Sequence, residues 1–174
     1  MKFKKNSSLS GIKLLICDVD GTLTDGGMYY SKNGEEMKKF NTKDAFGIEI
    51  LEKIGISTIL LTRENSLIVK QRAKKIKIKR LISGCDNKIS AVEKLTQQYK
   101  IKFNQIAYIG DDLNDYNVMK NVGFSACPSD ANYQIKKISK YVCDSKGGEG
   151  AVREFIDYIL FSKKIKLKDA INIL

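Results

Sequence analysis

The chain has 174 residues, 43% of them hydrophobic, with one proline and a formal net charge of +11. That length and composition fit a single globular domain with a proper core and exclude disorder, and no run approaches the ~18 apolar residues of a membrane span. Histidine is absent, which excludes Ser-His-Asp and Cys-His nucleophiles and most transition-metal sites, so acid–base work falls to carboxylates.

An apolar run over residues 12–18 predicts a first strand, buried in a parallel sheet and broken by Gly21. It delivers Asp18 and Asp20 to a strand's C-terminal end, where open α/β sheets place their ligand crevices. If the strand continues through Asp20, both carboxylates lie on one face. Residues 27–30 and 36–40 flank Ser31-Lys-Asn-Gly34, whose Asn-Gly predicts a hairpin turn. Ala45, Ile48, Leu51 and Ile54 predict a helix over 44–54, stopped by Gly55. Next come a strand over 56–61, a helix over 65–76 and a short strand near 79–82. A helix over 87–99, a strand over 105–109, a helix over 112–121 and a short strand over 123–126 follow. A helix over 131–138, a short strand over 140–143 and a helix over 149–161 complete the pattern. This alternation predicts an α/β fold with a doubly wound, Rossmann-like parallel sheet and right-handed crossovers. One domain is expected over 1–174, with its core at about 11–160, a hairpin at about 26–40 and a basic tail at about 162–174.

Four groups stand at strand ends or helix starts, in order. Asp18 and Asp20 end the first strand, and Thr62 ends the apolar run 56–61. Lys88 opens a helical pattern, and Gly110-Asp-Asp-Leu-Asn-Asp115 ends a third strand. Each has a plainer reading: Asp-x-Asp-Gly as a common turn, Thr62 as a helix cap, Lys88 as a solvated charge, Asp111 to Asp115 as first-turn helix acids. A calcium loop is disfavoured, because its twelfth position, Tyr29, offers no carboxylate. The order of all four groups argues against coincidence.

These groups resemble the four motifs of the haloacid-dehalogenase-like phosphatases. With Phe40-Asn-Thr-Lys-Asp-Ala-Phe-Gly47 and Gly147-Gly-Glu-Gly-Ala-Val-Arg-Glu154, the chain is more closely similar to the 3-deoxy-D-manno-octulosonate 8-phosphate phosphatase family, over roughly residues 11–160. The resemblance implies a Mg2+-dependent phosphatase with Asp18 as nucleophile and Asp20 as general acid and base. It implies metal ligands from the Asp18 carboxylate, the Asp20 backbone carbonyl and Asp111, with Asp112 in support and Asp115 capping or orienting the loop. Thr62 and Lys88 would contact the phosphoryl group. Asn41, Thr42, Lys43, Asp44 and Ala45, with Arg72, would meet the sugar acid. Where octulosonate-specific members carry Thr-Gly-Arg, this chain has Thr62-Arg-Glu64. Glu64 with Lys75 resembles the branch acting on nine-carbon ulosonate 9-phosphates, so the sugar's length stays open.

The insertion after the first strand is too short for a cap domain. The resemblance implies a homotetramer whose central hairpins leave each site covered by a neighbour, and a mobile Gly-rich 147–150 segment with Arg153 as a candidate anion contact. A plain strand-to-helix turn is the alternative there. The basic stretches 70–80 and 161–168 lack interleaved aromatics, so no specific nucleic-acid partner is expected. Cys17, Cys85, Cys127 and Cys143 are widely spaced and read as reduced thiols of a cytoplasmic protein. Residues 6–11 are polar where a signal peptide needs an apolar core. The alternative function is a non-catalytic regulatory or binding module of the same fold, of the kind associated with a sugar-nucleotide transferase.

Overall fold

A computed structural model of the protein describes residues 6–166. The eight strands are β1 Leu14–Cys17, β2 Tyr29–Ser31, β3 Gly34–Met37, β4 Ser57–Leu61, β5 Arg80–Ile82, β6 Ile106–Ile109, β7 Phe124–Cys127 and β8 Tyr141–Val142. The helices are α1 Thr42–Lys53, α2 Leu67–Lys75, α3 Lys88–Tyr99, α4 Tyr116–Asn121, α5 Tyr133–Ile138 and α6 Ala151–Ser162.

Six strands form one sheet in the order β5-β4-β1-β6-β7-β8, and every neighbouring pair is parallel. Alternate residues of each strand point to opposite faces, and two cores divide accordingly. Leu15, Cys17, Leu60, Ala107 and Ile109 pack with Ile48 and Leu51 of α1, Val69 of α2 and Phe155 and Ile159 of α6. Leu14, Ile16, Ile59, Leu61 and Ile106 pack with Val92 and Leu95 of α3, Val118 of α4 and Ile135 of α5. The result is the three-layer, doubly wound α/β architecture expected from the pattern. The chain leaves β1 toward β4 on one side and continues from β6 toward β7 on the other. The C-terminal ends of β1 and β6 therefore border the switch point where such sheets bind ligands.

Most boundaries fall within two residues of expectation, with three informative differences. β1 stops at Cys17, because Thr22, Leu23 and Thr24 all donate their N–H groups to Val19 O and curl the chain out of the sheet. Asp18 and Asp20 consequently do not share one face of a pleat. The expected helix over 112–121 begins with a 3-10 turn at Leu113–Asp115 before α4. The hairpin forms a separate two-stranded sheet, with Gly34 at φ +111° closing its turn and a register shift between Tyr29 and Tyr30. No large cap domain is evident among the described residues; this hairpin is the insertion that follows β1. No helix among the described residues is long and apolar enough to cross a membrane. Most of the basic tail, residues 167–174, lies outside the described residues.

Candidate active site

Four chain segments converge at the switch point. The turn after β1 brings Asp18 and Asp20, the end of β4 brings Thr62, and the turn after β6 brings Asp111, Asp112 and Asp115. Asn87 caps α3 by accepting from Ser90 N, which starts the helix so that Lys88 is its first residue. Lys88 is almost fully buried and donates to Asp18 Oδ1 at 2.5 Å and to Asp115 Oδ1 at 2.7 Å. Thr62 Oγ1 lies 3.4 Å from Asp20 Oδ2 and also accepts from Glu64 N at 3.1 Å. A cavity of about 230 Å³ is lined by Asp18, Asp20, Thr62, Glu64, Asp111 and Asp112, together with Met28, Arg63 and Asn114.

Glycine makes this convergence possible. Gly21 has φ +81°, and a Cβ there would stand 2.2 Å from Asp111 Oδ2. Gly147 and Gly148 are buried against the same turn: a Cβ on Gly147 would meet Gly21 O at 2.0 Å, and Gly148 N donates to Thr22 O at 3.2 Å. The Gly-rich segment thus packs under the nucleophile turn, where residues with side chains could not approach.

Asp18, Asp111 and Asp115 each offer a carboxylate oxygen within 4.8 Å of the others. Asp115 is already committed. Its Oδ1 accepts from Lys88 and from Tyr108 Oη at 2.5 Å, and its Oδ2 accepts from Asp111 N at 3.1 Å and Asp112 N at 3.4 Å. A carboxylate with both oxygens so occupied orients the loop and leaves little lone-pair capacity for a metal. Asp111 is less committed: its Oδ1 accepts from Thr22 Oγ1 at 3.1 Å.

The electrostatics point the same way. Burial, then the Asp115 charge, raise the Asp18 carboxyl against the pull of Lys88. Burial and Asp115 lift Asp111 to about 6. Burial opposes the Lys88 charge, but Asp18 and Asp115 more than compensate and hold its pKa above the ordinary lysine value. One ammonium does not neutralise three close carboxylates. A hard cation bound between Asp18 and Asp111 suits this donor set, because oxygen ligands and surplus negative charge are what such ions require.

The remaining predicted residues lie elsewhere. Thr42, Ala45, Arg72 and Lys75 line a different groove, of about 650 Å³, between α1 and α2, with Phe46 and Glu49. Asn41 caps α1 by accepting from Lys43 N. Arg72 reaches Asn41 O at 3.4 Å and stacks over Phe40. Asp44 is buried, accepts from Arg153 N at 2.8 Å, and is pushed up to about 6 chiefly by burial. Its Oδ2 and Arg72 Nε are buried without a partner among the described residues. Arg153 bridges to Asp157 at 2.9 Å and stacks over Phe46, away from the acid cavity.

Sequence reasoning missed Lys38, Glu35 and Tyr108. A lysine among 31 basic residues gives no signal. Tyr108, a polar tip inside a buried strand, carried one, since such a hydroxyl requires a partner.

Comparison with known proteins agrees with this geometry. The haloacid dehalogenase-like hydrolase family matches residues 49–156. The 3-deoxy-D-manno-octulosonate 8-phosphate phosphatase of Yersinia pestis is 40% identical over 154 residues, covering 88% of this chain and 82% of the relative. A crystal structure of the phosphatase of that name from the same organism superposes with a TM-score of 0.88 at 39% identity, covering 91% of this chain and 85% of the other. The Moraxella catarrhalis phosphatase of the same name, solved in complex with a magnesium ion, a phosphate ion and a KDO molecule, gives 0.87 at 36% identity and 90% coverage of both chains.

Proposed function

We propose that this chain, which belongs to the 3-deoxy-D-manno-octulosonate 8-phosphate phosphatase family of haloacid dehalogenase-like phosphoric monoester hydrolases, releases phosphate from a 2-keto-3-deoxy sugar-acid phosphate in the cytoplasm. The substrate is the eight-carbon octulosonate 8-phosphate or a nine-carbon ulosonate 9-phosphate. The observation that carries this reading is the buried Asp18–Lys88–Asp115 arrangement, with Asp20 and Thr62 lining the same small cavity.

A phosphomonoester dianion repels nucleophiles until its charge is offset. Lys88 supplies one fixed positive charge beside Asp18. Mg2+, held by the Asp18 carboxylate, the Asp20 backbone carbonyl and Asp111, would supply Lewis-acid neutralisation of the phosphoryl oxygens. Asp18 attacks phosphorus and forms an aspartyl-phosphate. Asp20 gives its proton to the departing sugar oxygen, then removes one from the water that hydrolyses the acyl phosphate. Thr62 donates to a phosphoryl oxygen, and Asp112 supports the acidic loop.

Among the residues lining the acid cavity of one chain the cation is Arg63, which already pairs with Asp86 at 3.4 Å. In a homotetramer a neighbouring subunit supplies Asn41, Thr42, Lys43 and Ala45, with Arg72 and Lys75, whose cations meet the substrate carboxylate, while Asp44, buried against Arg153 N, supports this loop from within. That Thr42, Ala45, Arg72 and Lys75 line a groove other than the acid cavity within one chain supports this arrangement, as do the exposed apolar side chains of the hairpin. Glu64, at the cavity wall, accepts hydrogen bonds from sugar hydroxyls and sets the preferred chain length.

Side-by-side kcat/KM values for octulosonate 8-phosphate, nine-carbon ulosonate 9-phosphates and hexose phosphates test the reading. One of the sugar acids is expected to lead by at least tenfold, with Asp18→Asn inactive. A preference for hexose phosphates would remove the sugar-acid assignment.

A further inference from the structure

Lys38, immediately after β3, has no part in the chemistry above. Its side chain has 0% exposure, in a chain whose other lysines are mostly at the surface. Nζ donates to Asp20 Oδ1 at 2.5 Å and pairs with Glu35 Oε1 at 2.9 Å. The other Glu35 oxygen accepts from Ser66 Oγ, the hydroxyl that caps α2 by accepting from Val69 N. Thr62 Oγ1 takes the second Asp20 oxygen.

A buried ammonium is costly unless charges and hydrogen bonds compensate it. Here two carboxylates do so: burial pulls the Lys38 pKa down, and Asp20 and Glu35 hold it above the ordinary value. Asp20 lies beyond the end of β1, in the turn, so no sheet ladder orients it. Carboxyl torsions are broad, and contacts on both oxygens are what define its direction. Proton transfer to a leaving group demands hydrogen-bond placement.

From this geometry we infer that Lys38 is a positioning residue for the reaction: it holds the Asp20 carboxyl toward the leaving oxygen and ties that orientation to the hairpin through Glu35 and to α2 through Ser66. The inference rests on the reading of Asp20 as the general acid.

The test compares kcat/KM on two esters. The alkoxide of octulosonate 8-phosphate needs a proton to leave, whereas the phenolate of 4-nitrophenyl phosphate does not. Lys38→Met is expected to lose ~100-fold on the sugar ester and no more than about threefold on the nitrophenyl ester. Lys38→Gln, which keeps a donor for Asp20, should recover part of that loss. Asp20→Asn is the control and should show the same leaving-group selectivity. Equal losses of Asp20→Asn on both esters would refute the acid assignment and the inference with it. Selective loss in Asp20→Asn beside equal or absent losses in the Lys38 variants would refute the role of Lys38 alone. If circular dichroism shows Lys38→Met unfolded, Lys38→Gln is judged by the same criterion.

Discussion

Tyr108 and Asp115 are joined by a 2.5 Å hydrogen bond from the phenol to Oδ1, and neither side chain has exposed surface. Gly110 lies between them in sequence, and a Cβ there would stand 2.3 Å from Asp115 Oδ2 and 2.8 Å from the Tyr108 ring. The pair fixes the acidic loop from below. Tyr108→Phe removes one donor to a buried charge, which costs about 2 kcal/mol. Urea denaturation should register that loss, with a fall in kcat larger than any change in KM. An unchanged midpoint would show that Lys88 and the loop N–H groups suffice for Asp115.

Gly21 is a steric requirement. Its φ of +81° and the 2.2 Å approach to Asp111 Oδ2 leave no room for a methyl group. Gly21→Ala should lower kcat/KM on the order of 100-fold by displacing the nucleophile turn or the Asp111 carboxylate. Steady-state kinetics would check this, and activity within a few-fold of the parent would contradict the packing described.

Metal removal separates ligand from scaffold. A chelator should abolish phosphate release, and added magnesium should restore it. Magnesium at 100 times its Kd should also stabilise the fold by about 2.7 kcal/mol, read as a rise in Tm. Asp111→Asn should lose both the activity and the Tm response. A variant that keeps the response would place the ion elsewhere.

Asp44 predicts a pH dependence of stability unrelated to the acid cavity. Its folded pKa, about 6, lies above the ordinary 3.8. Between these values the folded state holds the proton more tightly than the unfolded chain. Stability therefore falls as pH rises from about 4 to about 6, by on the order of 2 kcal/mol, then levels off. Asp44→Asn keeps an acceptor for Arg153 N and should flatten that part of the profile. Unfolding curves of both proteins from pH 4 to 8 give the comparison, and parallel profiles would assign the slope to other groups.

Assembly has its own signature. Met28, Tyr29, Tyr30 and Met37 are 44%, 48%, 64% and 55% exposed on the hairpin. Charged substitution of Tyr30 and Met37 together should dissociate the proposed tetramer and raise KM for octulosonate 8-phosphate more than it lowers kcat. Light scattering and kinetics on the same samples check both effects. A monomeric parent with full activity would defeat the assembly reading.

Much of this molecule was legible in its sequence because hydrophobic period and glycine position report directly on strands and turns. Leu14 to Ile16 read as a buried parallel strand and are buried in one, and Gly55 ends α1 with φ +82°. Asp18, Thr62, Lys88 and Asp111 were identifiable because each stands where a strand ends or a helix begins. Contacts made by side chains across the fold were not legible. Nothing in its neighbours distinguishes Lys38 from Lys39, yet one is buried on Asp20 and the other is half exposed. Likewise, the period of α1 and α2 could not tell that Thr42, Ala45, Arg72 and Lys75 would face a groove apart from the acids.

The glycine packing beneath the nucleophile turn has a consequence for how activity is acquired. Lys88 and Asp18 are 70 residues apart, Thr22 and Asp111 are 89 apart, and Gly148 meets Thr22 from near the far end of the described chain. Contacts of such separation close late, because long loops must order first. During synthesis the central strands can pair while the turn bearing Asp18 still lacks its floor. Catalytic competence is therefore among the last properties the folding chain gains, and a carboxylate cluster this costly to bury forms only once the surrounding frame is complete.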